Sequence, residues 1–244
     1  MKQKDLHAMQ LYPMGDAAVV VQFGDSISEA THALIQNFAA YLQQHPFRGL
    51  VEFVPAYTTV TIYYDPWLLS EQGKYNPYTK VVDVIEQTLP QVNQRKAAPN
   101  ARVVEIPVCY GGTCGPDLAF VARLHKLSQQ EVIQLHTSAA YKVYMLGFSP
   151  GFPYLGGMQE KLATPRKETP SPRIPAGTVG IAGNQTGIYP SETPGGWQLI
   201  GRTPLLLFDA YREAPSLLQA GDEVRFYAIT KKEFEKRKEL VHAA

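Results

Sequence analysis

The chain has 244 residues, of which 45% are hydrophobic and 18% are charged, so it suits one large domain or two ordinary ones and is not disordered in bulk. Its 23 basic and 22 acidic residues nearly cancel, which excludes a global attraction to nucleic acid or to anionic lipid. Because it also lacks the apolar core of a signal peptide and any run near the ~20 apolar residues of a membrane span, we expect a cytoplasmic protein that binds neither nucleic acid nor membrane.

The first hundred residues predict a small α/β domain. A β-branched run after a Gly-Asp turn predicts a strand within 11–24. Apolar positions at helical spacing predict helices within 26–46 and 78–89, ended by Pro46 and Pro90. Alternating apolar residues within 49–66 predict two strands between them. The order strand, helix, strand, strand, helix suggests a ferredoxin-like α/β sandwich, and the segment ARVVEIPVCY is a candidate for a further strand.

A linker separates this domain from the rest of the chain. The stretch QVNQRKAAPNA is polar and has no periodic pattern, as is typical of linkers. We place the boundary there and predict one domain at 1–97 and a second at 98–244.

The second domain is predicted to begin with a strand and two short helices, 117–126 and 128–136. Ser128, with Glu131 three residues later, predicts a capping box at the start of the second helix. The pair resembles a helix-turn-helix, but its exposed positions are only mildly basic, which favours a structural role.

From Tyr141 onward the chain predicts a β-barrel. Six short apolar runs alternate with turns: YKVYMLGF, RIPAGTVGIAG, TGIYP, WQLIGRT, LLLFDAY and DEVRFYAI. So many short strands with no helical period indicate a closed or nearly closed barrel. The last segment, KKEFEKRKELVHAA, predicts a charged helical tail with a solvated face.

Two cysteines, Cys109 and Cys114, lie in the segment CYGGTC. A zinc site normally needs four ligands at paired short spacings, and the sequence has no second pair. Ordinary reduced thiols are favoured over a disulfide under cytosolic conditions. We therefore predict no metal site in this chain.

Residues 144–204 are the stretch in which we expect the function to lie. They hold 11 of the chain's 19 glycines and 9 of its 19 prolines, together with several large aromatic side chains. Glycine allows positive φ and proline fixes φ, so this composition predicts a tightly turned, ordered backbone around a packed or binding surface.

The segment GFSPG within it matches the nucleophile elbow of hydrolases only formally. In the elbow, the residue after the serine donates its backbone N–H to the oxyanion, and Pro150 has none. We interpret the segment as a rigid turn that presents Phe148 and Phe152, with no nucleophilic role for Ser149.

Polar and aromatic side chains are concentrated in the same stretch. Guanidinium groups suit carboxylates and phosphates, glutamine and tyrosine can orient an amide, and phenylalanine and tryptophan can shelter it. The alternative for each residue is a surface ion pair or a place in the barrel core. The candidate catalytic residues are Arg166, Arg173, Gln185 and Arg202. The candidate substrate- or partner-binding residues are Phe148, Phe152, Tyr189, Thr193 and Trp197.

Three irregular segments, GFSPGFPYLGG, PRIPAGTVGIAGNQTGIYP and TPGGWQLIGRTP, closely resemble the signature segments of one family. That family contains the B subunit of 5-oxoprolinase, the first subunit of allophanate hydrolase and a bacillary inhibitor of a sporulation histidine kinase. The resemblance covers essentially the whole chain, including VEFVPAYTTVTIYYD and VVEIPVCYGG.

The resemblance implies a cyclophilin-like barrel after a small α/β domain, and obligate partners. These would be a second barrel-fold subunit (the C type of 5-oxoprolinase) and an amidase-like subunit (the A type). The implied reaction opens the lactam of 5-oxoproline to L-glutamate with hydrolysis of ATP. ATP with Mg²⁺ would be bound in the assembled complex and not by this chain alone.

The sequence lacks a Walker motif and a nucleophile with a paired base, which suits a subunit that supplies half of a shared site. It also suits an inhibitor that binds a histidine kinase. In that alternative, an apolar rim of Phe148, Phe152 and Trp197 would be the docking surface.

Overall fold

The computed structural model describes residues 9–26, 28–92 and 102–243. The chain divides into two compact units, residues 1–100 and residues 101–244.

The N-terminal unit is one antiparallel sheet with helices. The sheet order is β1-β2-β4-β3, with strands β1 (Gln10–Pro13), β2 (Ala18–Gln22), β3 (Leu50–Pro55) and β4 (Thr59–Tyr64). The helices are α1 (Glu29–Gln44), α2 (Pro66–Leu69) and α3 (Pro77–Val92). The predicted order of strand, helix, strand, strand and helix is present in β2, α1, β3, β4 and α3.

Apolar faces of α1 and α3 and one face of the sheet build the core of this unit. Ile35 and Phe38 of α1 are fully buried and belong to one cluster with Ile62 of β4 and Ile85 of α3. At the start of α1, the Ser28 hydroxyl accepts a hydrogen bond of 3.1 Å from the backbone N–H of Thr31, so Ser28 caps the helix.

One prediction for this unit was wrong. Helix α3 does not stop at Pro90 but continues to Val92, because burial of Val92 (1% exposed) in the core holds the last turn together. The strand after the linker, which the sequence offered both to this sheet and to the start of the second domain, belongs to the barrel. Alternating apolar residues fit either sheet, so the sequence pattern does not reveal which one a strand joins.

The C-terminal unit is built on a closed barrel of seven strands, as the run of short strands predicted. Their order around the barrel is β10-β7-β6-β13-β5-β12-β9, and β5 and β13 pair in parallel. The strands are β5 (Val103–Tyr110), β6 (Ala140–Leu146), β7 (Pro153–Gly156), β9 (Thr178–Ala182), β10 (Gln185–Ile188), β12 (Gln198–Arg202) and β13 (Glu223–Ala228).

Two further strands and three helices lie around the barrel. Strands β8 (Ser171–Ile174) and β11 (Thr193–Gly195) form a separate antiparallel pair. The helices are α4 (Leu118–Leu124), α5 (Gln129–Ser138) and α6 (Lys231–Ala243). The capping box of α5 is present, since the Ser128 hydroxyl accepts from the N–H of Glu131 and the Glu131 carboxylate accepts from the N–H of Ser128.

The run LLLFDAY, predicted as a strand, contributes only one isolated bridge, between Phe208 and Ser216. Helix α6 confirms the helical tail, but one side of it is buried, because Phe234 is 3% exposed and packs with the two cysteines. No helix within the described ranges is long and apolar enough to cross a membrane.

Candidate functional site

A tight turn joins β6 to β7 and presents Phe148. The N–H of Gly147 donates to the carbonyl of Phe152 (3.1 Å), and the N–H of Phe152 donates to the carbonyl of Ser149 (3.0 Å). Gly151 has a φ of 81°, and a Cβ built there would lie 2.8 Å from the Cβ of Phe208. The segment GFSPG is therefore a turn, as the sequence predicted, but it presents Phe148 alone, because Phe152 is buried.

Phe148 has a φ of 67°, in the left-handed region that a bulky residue rarely occupies. Its side chain is 64% exposed. An exposed aromatic side chain on a strained backbone is a common feature of binding sites.

Behind Phe148 lies a stack of aromatic rings, which we call the aromatic stack. The ring of Phe152 lies 5.4 Å from that of Phe148 and makes edge-to-face contacts with Tyr189 and Trp197 at 5.4 and 5.5 Å. Such edge-to-face geometry is the favoured arrangement of aromatic pairs. The members of the aromatic stack are Phe148, Phe152, Tyr154, Tyr189 and Trp197.

Glycine lets the aromatic stack lie directly on the barrel. A Cβ on Gly187 of β10 would lie 2.9 Å from Phe152 and 3.0 Å from Trp197. A side chain on Gly180 of β9 would meet the Cβ of Trp197 at 3.1 Å. These two glycines, paired across β9 and β10, form the floor beneath the rings.

The expected docking rim of three aromatics is not present. Phe152 and Trp197 are 2% and 6% exposed, whereas Phe148 is 64% exposed. The edge-to-face contacts and the close glycine floor bury the first two rings, so only Phe148 of the three offers a broad apolar surface to a partner. Tyr189 is also buried, at 1% exposed.

Polar groups border the aromatic stack. Burial raises the pKa of Tyr189 to about 12, while the backbone N–H of Trp197 and the charge of Arg166 act in the opposite direction. The Arg166 side chain is exposed and close enough to act on that hydroxyl. The hydroxyls of Ser149 and Thr193 are buried and have no hydrogen-bond partner among the described residues.

The loop that carries Arg166 is fixed to the barrel by contacts that the sequence did not indicate. The Lys167 ammonium lies 2.6 Å from the carboxylate of Asp117, which also accepts from the N–H of Leu199 at 2.7 Å. The residues on either side of Arg166 are also held. The Lys167 N–H donates to the carbonyl of Gly196 (2.7 Å), and the Gln198 side-chain amide donates to the carbonyl of Pro165 (3.0 Å). These anchors give Arg166 a defined position.

An open depression of about 350 Å³ lies on the other side of Phe148, lined by residues 146–151, Phe208 and Ser216. Phe148 thus lies between this depression and the buried rings. We call Phe148, this depression and Arg166, which acts on the neighbouring Tyr189, the Phe148 surface. Thr193 begins β11 and its hydroxyl is buried, so it is not part of this surface.

The structure does not bring the remaining three candidates to this surface. Arg173 is 76% exposed and pairs with Glu192 at 2.6 Å. Gln185 begins β10 at the turn from β9, at the opposite end of the strand from Tyr189. Arg202 ends β12, whereas Trp197 directly precedes that strand. The guanidinium of Arg202 lines a different cavity, beside α6.

The cysteines are free, as predicted, and both are buried. Burial, followed by the hydrogen bond to Cys114, raises the pKa of the Cys109 thiol to about 12, so it is a poor nucleophile at neutral pH. Within the described part of the chain, no three His, Cys, Asp or Glu side chains lie close enough together to hold a metal ion.

Comparisons with known proteins place this chain in a family. Residues 9–218 match the family model described as "Carboxyltransferase domain, subdomain C and D". The chain is 48% identical over 233 residues to the B subunit of 5-oxoprolinase from Bacillus subtilis (strain 168), covering 94% of this chain and 97% of the relative. It is 44% identical over 216 residues to the B subunit of 5-oxoprolinase from Escherichia coli O157:H7, covering 88% and 94%.

A solved structure also matches the fold. One crystal structure superposes with a TM-score of 0.75 at 40% identity, over 87% of this chain and 40% of that longer chain. The chain belongs to the carboxyltransferase subdomain C and D family, among relatives named as the B subunit of 5-oxoprolinase.

Proposed function

We propose that this chain is the B subunit of an ATP-dependent 5-oxoprolinase, which opens 5-oxoproline to L-glutamate. The observation that carries the proposal is the end-to-end likeness to a protein of that name, at 48% identity over 94% of this chain and 97% of the relative. A shared domain in an unrelated enzyme would cover only a part of one of the two chains.

The Phe148 surface supports a contribution to a shared site. A lactam is a poor electrophile, and phosphorylation of its amide oxygen makes it a better one. That chemistry needs positive charge near phosphate and a sheltered pocket. Arg166 supplies positive charge, and Phe148 supplies an apolar surface that another chain could close.

The exposure of Phe148 favours completion of this surface by another chain, because aromatic side chains are enriched at protein–protein interfaces. The partners we propose are a second barrel-fold subunit and an amidase-like subunit, in the cytoplasm.

We propose that ATP and Mg²⁺ are bound in the assembled complex. Mg²⁺ is held through carboxylates and phosphate oxygens, and the described residues of this chain lack a cluster of acidic side chains near the Phe148 surface. The residues present therefore fit one wall of a phosphate site better than a complete metal site.

We also propose finer classes for the two units. The barrel would be cyclophilin-like, which carries no isomerase activity with it. The N-terminal sheet would be a permuted ferredoxin-like one, in which β1 fills the edge position that a strand after α3 would otherwise take.

Reconstitution tests the function. The three subunits together are expected to release glutamate from 5-oxoproline and ATP, and each one alone is not. Absence of turnover by the complete complex, with inhibition of a sporulation kinase's autophosphorylation by this chain alone, would instead support the inhibitor.

A further inference from the structure

A second cavity, of about 110 Å³, lies beside the C-terminal helix. It is lined by Arg202 at the end of β12, by Phe234 and Lys238 of α6, and by residues 203–206, Ala176 and Pro190. Two of the lining side chains are cationic and none is acidic.

Arg202 is held in a defined orientation at this cavity. Its Nε donates a hydrogen bond of 2.8 Å to the carbonyl of Ala176. Its guanidinium carbon lies 5.8 Å from the ring centroid of Phe234, in a cation–π arrangement. A guanidinium fixed through Nε can still present its outer nitrogens to an anion in bidentate fashion.

Neither cation has a carboxylate partner within the described ranges. The ion pairs of the described residues include neither Arg202 nor Lys238, although both side chains are partly buried. Two partly buried cations that face one apolar cavity repel each other, and an anion between them removes that cost.

We propose that this cavity is an oxyanion site that ties α6 to the barrel. Its volume suits a single phosphate or carboxylate group and is well below the roughly 300–1,000 Å³ of pockets that hold whole nucleotides or drug-sized ligands. One anion would contact Arg202 of the barrel and Lys238 of the helix together. Only the identity of the anion rests on the proposed function. The candidate anions are inorganic phosphate and the carboxylate of 5-oxoproline or L-glutamate.

The two thiols beneath α6 provide a readout that needs no enzyme activity. Cys109 and Cys114 are each 6% exposed and pack under Phe234 of α6. They are the chain's only cysteines. A reagent therefore reaches them after α6 lifts, and an anion that ties α6 down slows the reaction.

The experiment is thiol labelling of the isolated full chain at constant ionic strength, with chloride as the reference anion. If the thiols react only in molecules whose α6 has lifted, the labelling rate falls by a factor of one plus the ratio of the anion concentration to its Kd. At an anion concentration of ten times Kd, the labelling rate is about ten-fold lower. Phosphate, 5-oxoproline and L-glutamate are titrated separately, so the arm that slows labelling identifies the anion.

Matched variants locate the effect. The anion dependence is measured in each variant as the ratio of its labelling rate in chloride to its labelling rate in the test anion. Arg202→Gln and Lys238→Gln are each expected to abolish this dependence. Lys236→Gln removes the same charge from an exposed position of the same helix and is expected to keep it.

The proposal is overturned if none of the three anions slows labelling, or if Lys236→Gln removes the dependence as fully as Lys238→Gln. Because no other protein of the complex is present, that failure is distinct from a failure of turnover in the reconstituted complex.

Discussion

The hydroxyl of Tyr110 on β5 lies 2.8 Å from Nδ1 of His136 on α5. On the other side of the ring, Nε2 lies 3.0 Å from the hydroxyl of Thr186 on β10. That hydroxyl donates its own hydrogen to the carbonyl of Gly180 at 2.9 Å, so it accepts from Nε2. The network therefore puts a proton on Nε2, and complete burial favours the neutral ring, so Nδ1 accepts from Tyr110.

This neutral histidine predicts a loss of stability in acid. Complete burial lowers the pKa of His136 from 6.5 to about 3. Below pH 6.5 the unfolded chain takes up a proton that the folded barrel does not. The stabilisation is thus fully present above pH 6.5 and declines as pH falls toward 3, by up to about 1.4 kcal/mol per pH unit.

Urea unfolding at several pH values measures this decline. A Trp67→Phe background leaves Trp197 as the only tryptophan, so its emission reports on the barrel. Carboxylates titrate in the same range, and the comparison with His136→Gln isolates the histidine. Equal slopes with pH in the two proteins would contradict the assignment.

The anchor of the Arg166 loop predicts a graded loss of stability at Asp117. Asp117→Ala leaves Lys167 and the N–H of Leu199 without their partner, and we expect a loss of about 2–4 kcal/mol in the free energy of unfolding. Asp117→Asn keeps an acceptor for the Leu199 N–H and should lose less. Arg173→Ala, which breaks an exposed ion pair, should cause no measurable loss.

Denaturant titration of these variants tests the order. The anchor interpretation is wrong if Asp117→Ala and Arg173→Ala unfold at the same urea concentration.

The glycine floor predicts that Gly187→Ala displaces the aromatic stack. The new methyl group would lie 2.9 Å from Phe152 and 3.0 Å from Trp197, and overpacking of this kind costs about 1–3 kcal/mol. Gly196→Ala is the matched control, because its nearest neighbour would be 3.8 Å away.

Trp197 emission and urea unfolding measure the displacement. A Gly187→Ala protein with the spectrum and midpoint of Gly196→Ala would show that the rings do not rest on this glycine.

Phe148 is predicted to matter for assembly and not for folding. Phe148→Gly removes a bulky side chain from a residue whose backbone is in the left-handed region, which glycine adopts without strain. The free energy of unfolding should therefore stay the same or rise by up to about 1 kcal/mol. Phe152→Ala, which empties a buried site, should cost about 3–5 kcal/mol. Urea unfolding compares the two, and similar losses would contradict the assignment of Phe148 to an interaction surface.

The closed barrel and the capping box could be predicted because they depend on local patterns: short strands separated by turns, and a serine three residues before a glutamate. The position of β5 was left between two alternatives, because its alternation fits either sheet. The burial of Phe152 and Trp197 depends on the register that places Gly187 and Gly180 beneath them, which composition does not show. Arg202 and Trp197 are close in sequence, yet Trp197 precedes β12 and Arg202 ends it, so the length of the strand separates them.

The most direct test of the central claim is glutamate release by the reconstituted three-subunit complex, with this chain as wild type, Phe148→Gly or Tyr211→Ala. Tyr211 is fully exposed outside the Phe148 surface and serves as the control. The account predicts ATP-coupled release with wild type and Tyr211→Ala, and a loss of at least about ten-fold with Phe148→Gly. Release that is equal in all three, or that continues when this chain is left out, would contradict it.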